Sequence, residues 1–535
     1  MTRKLTRRQF LAASFAASSS IALAACTAVP QPTASAPTSA PAAAPTAAKP
    51  VAPVASPTVV KQSKTQLTIS RDEELQKVDP QDHQNIINNC VNFLMYDCLF
   101  EIDKDGKIIP SGLLDSYEFS QDGLAWTFRL KKGISFQNGE PFKSDSVKLT
   151  LERLKDTKLL GSLNWEGLID RVDTPDDFTA ILRTREPLGT MLINLRVTQM
   201  LPPKAFAEKG TALFDNPIGT GPYKFVEWMK NDRFVMDRWT GSWDQRPKID
   251  RIIHRPIMEE STRLNALRAG DIDIIQSLTQ ESIPLLESEG FKILRILTTD
   301  QLMLGLKCDQ PPFNNKQCRM AMNYAVDRDA LVNKILKGGR VSAASVGKTA
   351  PIGFHEGLKP IARDVDKAKA LLRDGGYKGE KLKFIGPNAW YAKITEVEQV
   401  LLSQFLEVGL NVEFTQMEGT AFTAARTAGA YNIYVTGGAS PDPAAFLVQR
   451  VTSDMFKSGY KHDEMFDLIK KANREVDQQK RHQMYLRVQE IMYEEATPFI
   501  WLYQMEQIDA MKKSVVGYRL DLKNWNLREA DIVKA

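Results

Sequence analysis

The chain has 535 residues, 43% hydrophobic and 25% charged, which is the make-up of an ordinary globular protein. Its formal charge of +5 belongs to the N-terminus: seven of the 70 basic residues precede residue 65, and the remaining 63 face all 65 acids, a balance of −2. A body without net positive charge implies no basic surface, so no nucleic-acid partner is expected, and about 470 residues after position 64 suffice for two or three domains.

Thr6-Arg7-Arg8-Gln9-Phe10-Leu11 sets paired arginines ahead of a weakly apolar run over residues 11–25. That run has 15 residues, four of them serine. A membrane span needs ~20 apolar residues, so the segment reads as an export signal instead. Its arginine pair is of the twin-arginine type. Leu23-Ala24-Ala25-Cys26 resembles a bacterial lipobox, in which Cys26 is lipidated and becomes the new N-terminus. Residues 27–64 are almost wholly Ala, Pro, Thr, Ser and Val, with three lysines and no acid. Such a segment stays extended and buries no core, so it reads as a stalk. The expectation is an exported body held by lipidated Cys26 at the periplasmic, extracytoplasmic face of a membrane.

The body opens with a strand over 66–70 and an acidic loop over 71–80. Apolar residues at 86, 87, 91, 94, 95 and 98 predict a helix over 85–99. On that helix Cys90 and Cys98 would stand ~12 Å apart along the axis, too far for a disulfide. Strands over 100–103 and 107–110 flank the turn Lys104-Asp-Gly106. Strands over 116–120 and 125–130 follow, joined by Asp122-Gly123, then a helix over 143–154 capped by Ser144 or Asp145. Thr220-Gly221-Pro222 calls for a glycine of restricted backbone conformation and a turn-fixing proline before a strand over 223–229. Gly270-Asp271 ends a helix over 262–269. Short strands over 272–274 and 382–385 between helices predict α/β lobes. Cys308 and Cys318 flank a loop that either brings them into a disulfide or leaves two buried thiols. The five histidines show no metal-ligand spacing, so neither metal nor cofactor is expected.

Several blocks carry a family resemblance. Gly123-Leu-Ala-Trp-Thr-Phe-Arg-Leu-Lys-Lys-Gly133, Phe136-Gln-Asn-Gly-Glu-Pro-Phe142 and Leu149-Thr-Leu-Glu-Arg153 resemble the signature of the family 5 extracellular solute-binding proteins. These are the peptide-, nickel- and sugar-binding receptors of ABC importers. Ile218-Gly-Thr-Gly-Pro-Tyr223, Arg255-Pro-Ile257, Ser261-Thr-Arg-Leu-Asn-Ala-Leu-Arg-Ala-Gly-Asp-Ile-Asp273, Pro311-Pro-Phe313, Ala321-Met-Asn-Tyr-Ala-Val-Asp-Arg328 and Ala368-Lys-Ala-Leu-Leu-Arg-Asp-Gly-Gly-Tyr377 continue it in order. The resemblance implies a two-lobed, hinged periplasmic-binding-protein fold with an extra domain on the first lobe. It further implies boundaries near 107, 216, 300 and 506. Lobe I is then residues 65–107, 217–300 and 507–535, the extra domain 108–216, and lobe II 301–506. A monomer working with ABC permease subunits is expected.

No nucleophile elbow, zinc-protease motif, phosphate loop or Cys-x-x-Cys is present, so no enzyme is expected. A cleft needs aromatic and polar groups at strand ends. Three stretches supply them: Arg71, Asp72 and Glu73; Asn388, Trp390 and Tyr391; and Ser440 with Asp442. Trp390 and Tyr391 either line the cleft or pack on the following helix, and Asp442 either contacts ligand or caps a helix at 444–447. The resemblance implies an amine-clamping aspartate three residues before this Asp-Pro in peptide-binding members. Here that residue is Ala439. Unless Asp72, Glu73 or Glu418 supplies the charge, a neutral ligand such as an oligosaccharide gains ground over a peptide, while nickel is disfavoured by the scarcity of histidine. A ligand sensor or chaperone of the same fold is the alternative to an importer component.

Overall fold

Two long strands, Lys292–Leu306 and Phe499–Met511, run antiparallel through the middle of the molecule. In this computed structural model the described residues are 65–535, except 83–85, 104–106, 156, 166, 351, 439–441, 522–523 and 534–535. The expected signal, Cys26, the stalk, the turn at 104–106 and Ser440 lie outside them.

The central pair keeps register from Lys292–Met511 to Leu297–Glu506, shifts, and resumes at Gln301–Gln504. Such an irregularity bends and over-twists a ladder. On one side of it the sheet continues through Ile274–Ile275, Gln66–Arg71, Arg251–Pro256, Arg233–Arg238 and Tyr223–Met229. On the other it continues through Ile433–Gly438, Leu382–Pro387 and Val412–Met417, while Arg340–Val341 pairs with Phe499–Met511. One eleven-stranded sheet therefore has two halves joined by two strands. From Gln301 to Leu306 the first long strand is buried throughout, so its unbroken apolar run, Leu302-Met-Leu304, suits a strand covered on both faces. A second, four-stranded antiparallel sheet orders Leu114–Phe119, Ala125–Leu130, Thr179–Thr184 and Ile169–Asp176.

Three main apolar cores follow this division. One gathers Leu67, Ile69, Leu94, Phe234 and Ile252, with Trp525 and Leu527 returning from the C-terminal segment. Another gathers Phe128, Phe136, Phe142, Trp165 and Leu182 around the smaller sheet. The largest gathers Phe384, Leu401, Phe405, Tyr434, Met465 and Tyr485. Among the described residues no helix is long and apolar enough to cross a membrane.

Several local expectations change. The first helix is Ile86–Met95, shorter than 85–99. Its end is set from outside: Gly221 N donates to Met95 O (2.9 Å), and a side chain on Gly219 would strike the same carbonyl. The glycines of the Gly-Thr-Gly-Pro turn thus serve close approach; Gly221 is not at positive φ. Cys98 leaves the helix to bridge Gln199, and both it and Cys90 are buried cysteines outside any disulfide. The helix Ser144–Glu152 begins at Lys143 without a side-chain cap, because Ser144 Oγ donates instead to Asp176 O (2.6 Å). Cys308 and Cys318 are also buried free thiols, so the possible disulfide is not formed. Cys308 N is tied to Ser458 O (2.6 Å), whereas the Cys318 sulfur lies against Gly375. The hairpin strands Phe100–Ile102 and Ile108–Pro110, the strand Tyr223–Met229 and the left-handed Gly270 after Glu260–Ala269 occur where the sequence places them.

One buried acid lies beneath the second half-sheet. Glu398, on the helix Ile394–Glu407, is fully buried, takes one hydrogen bond from Gln416 Nε2 (2.9 Å) and leaves Oε1 without a partner among the described residues. Burial pushes its carboxyl up to about 8, so it is mostly protonated at neutral pH. The folded protein then holds a proton that the unfolded chain releases near 4.5. Stability from this group is complete below about pH 4.5 and falls by up to about 1.4 kcal/mol per pH unit as pH rises toward 8. Glu398→Gln should flatten that part of the stability–pH curve and stabilise the protein at pH 8, read by urea unfolding at pH 5, 6.5 and 8. An unchanged slope would refute the assignment.

Candidate ligand-binding site

Arg71 closes the strand Gln66–Arg71 with its guanidinium 3.6 Å from Glu73 and 3.8 Å from Asp72. It is buried, and its Nε and Nη1 have no hydrogen-bond partner among the described residues. Glu73 also accepts from Ile87 N (3.2 Å), at the start of the first helix, and burial raises its pKa. Asp72 is exposed.

On the second half-sheet, Leu382–Pro387 runs into Asn388, whose backbone N donates to Met417 O (2.8 Å). Trp390 sits at φ 88°. A bulky residue in that region is strained, a condition that clusters at functional sites. Its ring packs edge-on to Phe422 (5.6 Å) yet stays 51% exposed, so it both packs on a neighbouring helix and faces solvent. Tyr391 OH accepts from Gly437 N (2.7 Å), fixing the end of the strand Ile433–Gly438. Glu418 caps the helix Gly419–Ala428 through Thr420 N (3.0 Å).

Asp442 is buried and accepts from Ala444 N (2.9 Å), the expected cap. It also forms a two-pronged ion pair with Arg481 (2.7 and 2.9 Å), which the sequence did not reveal. Arg481 is fully buried and further tied to Ala472 O and Tyr485 OH.

Two arginines were missed by the sequence reading. Arg426 and Arg450 both donate to Thr436 Oγ1, at 2.9 and 3.3 Å, and Arg450 also to Gly437 O (2.9 Å). Phe456 lies between them, 4.1 Å from the Arg426 guanidinium and 5.4 Å from that of Arg450. Each also stacks on a phenylalanine one helical turn earlier, Phe422 and Phe446, at 5.1 Å. The repeated Phe-x-x-x-Arg spacing was the available signal. Arg450 stands on a π-helical turn, Val448–Thr452, a distortion frequent at functional sites.

Two cavities meet at Val346 and Gly347. The smaller is walled by Thr299, Met303 and Trp501 of the central strands and by Ser345, Gly438 and Phe446. The larger touches Gln301, Gln504, Arg340 and His355. Trp501 Nε1, Ser345 Oγ and both polar atoms of Gln301 lack partners among the described residues. Contacts bridge the halves of the molecule on either side: Lys393 pairs with Glu281, Arg474 with Glu186, and Gly189 N donates to Asn473 O (2.8 Å). Among the described residues no three His, Cys, Asp or Glu gather as a metal site.

Two half-sheets joined by two strands, with cavities against those strands, define a hinged, two-lobed binding protein. The chain belongs to the bacterial extracellular solute-binding proteins, family 5 (Middle), which match residues 109–457. It is 26% identical over 460 residues to a glutathione-binding protein, GsiB, of Pectobacterium atrosepticum, covering 82% of this chain and 89% of that one. In fold it is similar to the periplasmic binding protein DppA of Helicobacter pylori in complex with the peptide STSA (TM-score 0.74, 23% identity, 89% of this chain and 100% of that one). It is also similar to the substrate-binding protein CtaP of Listeria monocytogenes (TM-score 0.79, 20% identity, 88% and 100%). The chain is thus a solute-binding component of an ABC importer, working with permease subunits, in a family of extracellular solute-binding proteins.

Asp442→Asn leaves the buried Arg481 without its carboxylate and should cost about 3–5 kcal/mol of stability, measured by urea unfolding. Lost solute affinity with unchanged stability would instead make Asp442 a ligand contact.

Proposed function

We propose that the captured solute is of the peptide class and that the receptor is tethered through lipidated Cys26. The observation carrying the peptide reading is the similarity, over four-fifths of the chain, to proteins named for binding glutathione, itself a small peptide. Solute contacts made by both lobes favour the closed arrangement, and the solute shifts the hinge only by its differential affinity for it. The cavities hold about 10 and 30 Å3, room for one or a few waters, so the walls part to admit a solute. Lobe boundaries near 300 and 506 are supported by the register shift between Leu297 and Gln301 and by the separate core of the second lobe, while those near 107 and 216 rest on the family resemblance. Arg71, Asp72 and Glu73 from one lobe, and Asn388, Trp390, Tyr391 and Ser440 from the other, are our candidate contacts. Of the three acids that could replace the missing amine clamp, Glu418 and Glu73 hold helix starts, which leaves exposed Asp72.

Calorimetry on the full-length protein in detergent, with tripeptides, their N-acetyl forms and neutral oligosaccharides, tests the solute class. Peptide binding is expected; binding of oligosaccharides alone would overturn the reading. For the anchor, Cys26→Ser should abolish metabolic labelling with a radiolabelled fatty acid. A lipid retained by that variant would refute the lipobox.

A further inference from the structure

The guanidinium groups of Arg426 and Arg450 are anchored on the same hydroxyl, Thr436 Oγ1. Each guanidinium carries five N–H donors, yet the pair makes three hydrogen bonds with the described residues. Arg426 Nε is buried and has no hydrogen-bond partner among the described residues. Among the described residues no carboxylate lies within 4.0 Å of either group; Asp300 reaches Arg450 only through its field.

Several other buried or half-buried arginines are more fully partnered, although buried Arg263, with three hydrogen bonds to carbonyl oxygens, also leaves its Nε without a partner among the described residues. Arg481 has Asp442, Arg528 has Asp97 and Asp244, and Arg153 has Asp79. Arg319 and Arg328 lack a carboxylate but each makes four hydrogen bonds to carbonyl oxygens. Two part-buried like charges, sharing one hydroxyl and walled by Phe422, Phe446 and Phe456, are costly unless an anion joins them. Burial lowers the pKa of both, but from so high a starting value that both stay charged.

Arg450 stands directly behind the cavity wall. Arg450 lies against Gly438, and Gly438 and Phe446 line the smaller cavity together with Trp501, which is 5% exposed and has an unpartnered Nε1. Half-exposed Trp390 stands 6.0 Å from the Arg426 guanidinium and opens that side to solvent.

We propose that Arg426 and Arg450 are the seat of a carboxylate on the transported solute, so that the receptor selects an anionic ligand. Each arginine offers a planar fork to one carboxylate oxygen or to both. Phe456 between them and Thr436 beneath hold the forks in place, and the Trp501 indole N–H adds a neutral donor across the cavity. The inference rests on this cavity being the solute site; its anionic selectivity is independent of whether the solute is a peptide or a sugar.

The test uses the full-length protein and four probe pools: a mixed tripeptide library, the same library with every carboxyl amidated, neutral oligosaccharides, and oligosaccharides bearing uronic acids. Captured species are counted by native mass spectrometry. The free-carboxyl tripeptides should be captured and the amidated ones rejected. Arg426→Gln and Arg450→Gln should each weaken capture about ten- to a hundredfold, the effect of one charge-assisted hydrogen bond. Capture of uronic-acid oligosaccharides in place of peptides would sink the peptide reading and leave the arginine seat standing. Equal capture of amidated and free peptides, or of neutral and acidic sugars, would overturn the seat. That comparison is made on the unaltered protein, so it decides even where a variant folds poorly.

Discussion

The pairing of Lys292–Leu306 with Phe499–Met511 is the constraint on which the rest depends. These are the two strands that connect the half-sheets, so any change in lobe angle is a change in their local twist. The register shift at Thr298–Asp300 removes ladder bonds, and side chains restore them. Gln504 Nε2 (2.6 Å) and Thr349 Oγ1 (3.0 Å) donate to Thr298 O, while Thr298 Oγ1 donates to Met505 O (3.3 Å). Backbone polar groups freed in this way need such replacements, since an orphan costs as much as a lost hydrogen bond. Thr299, Gln301 and Gln504 also line the cavities, which couples the bend to the place where a solute would press.

Away from that place, two ion-paired arginines tie distant segments together. Arg528, near the C-terminus, reaches back to Asp97 and Asp244 and to Phe93 O, closing the first lobe over its core. Asp97 in turn takes hydrogen bonds from Thr220 and Trp243, so the Gly-Thr-Gly-Pro turn, the segment just after the first helix and the C-terminal segment share one carboxylate. Arg481 and Asp442 play the same part in the second lobe, joining the loop after Ile433–Gly438 to the helix Gln478–Glu494. Such pairs are weak evidence for net stability but strong evidence for register, because removing either partner strands the other. The arginines beside Thr436 have no such carboxylate among the described residues, and Arg450 stands directly behind the cavity wall.

The ordered family blocks carried the fold, because each is a local rule that the chain must satisfy wherever it sits. Gly270 ends a helix by taking a left-handed conformation, and the alternation from Tyr223 to Met229 makes a strand that pairs with Arg233–Arg238. Where local rules competed with tertiary contacts, the contacts won. Ser144 gave its hydroxyl to Asp176 rather than to its own helix, and the first helix stopped at Met95 because the 219–221 turn occupies its end.

The site was less legible. Sequence alone determined which strands end in polar and aromatic residues, and so pointed to Arg71, Trp390 and Asp442. It could not say which of those groups are already occupied, since an acid that caps a helix and one that awaits a ligand look alike until their neighbours are known. The meeting of Arg426, Thr436 and Arg450 on one face was likewise decided only by tertiary structure. It depends on a helix, a strand and a π-helical turn, separate in the chain, packing around Phe456. Periodicity records which side of an element is buried, but not which charges from different elements are left facing each other.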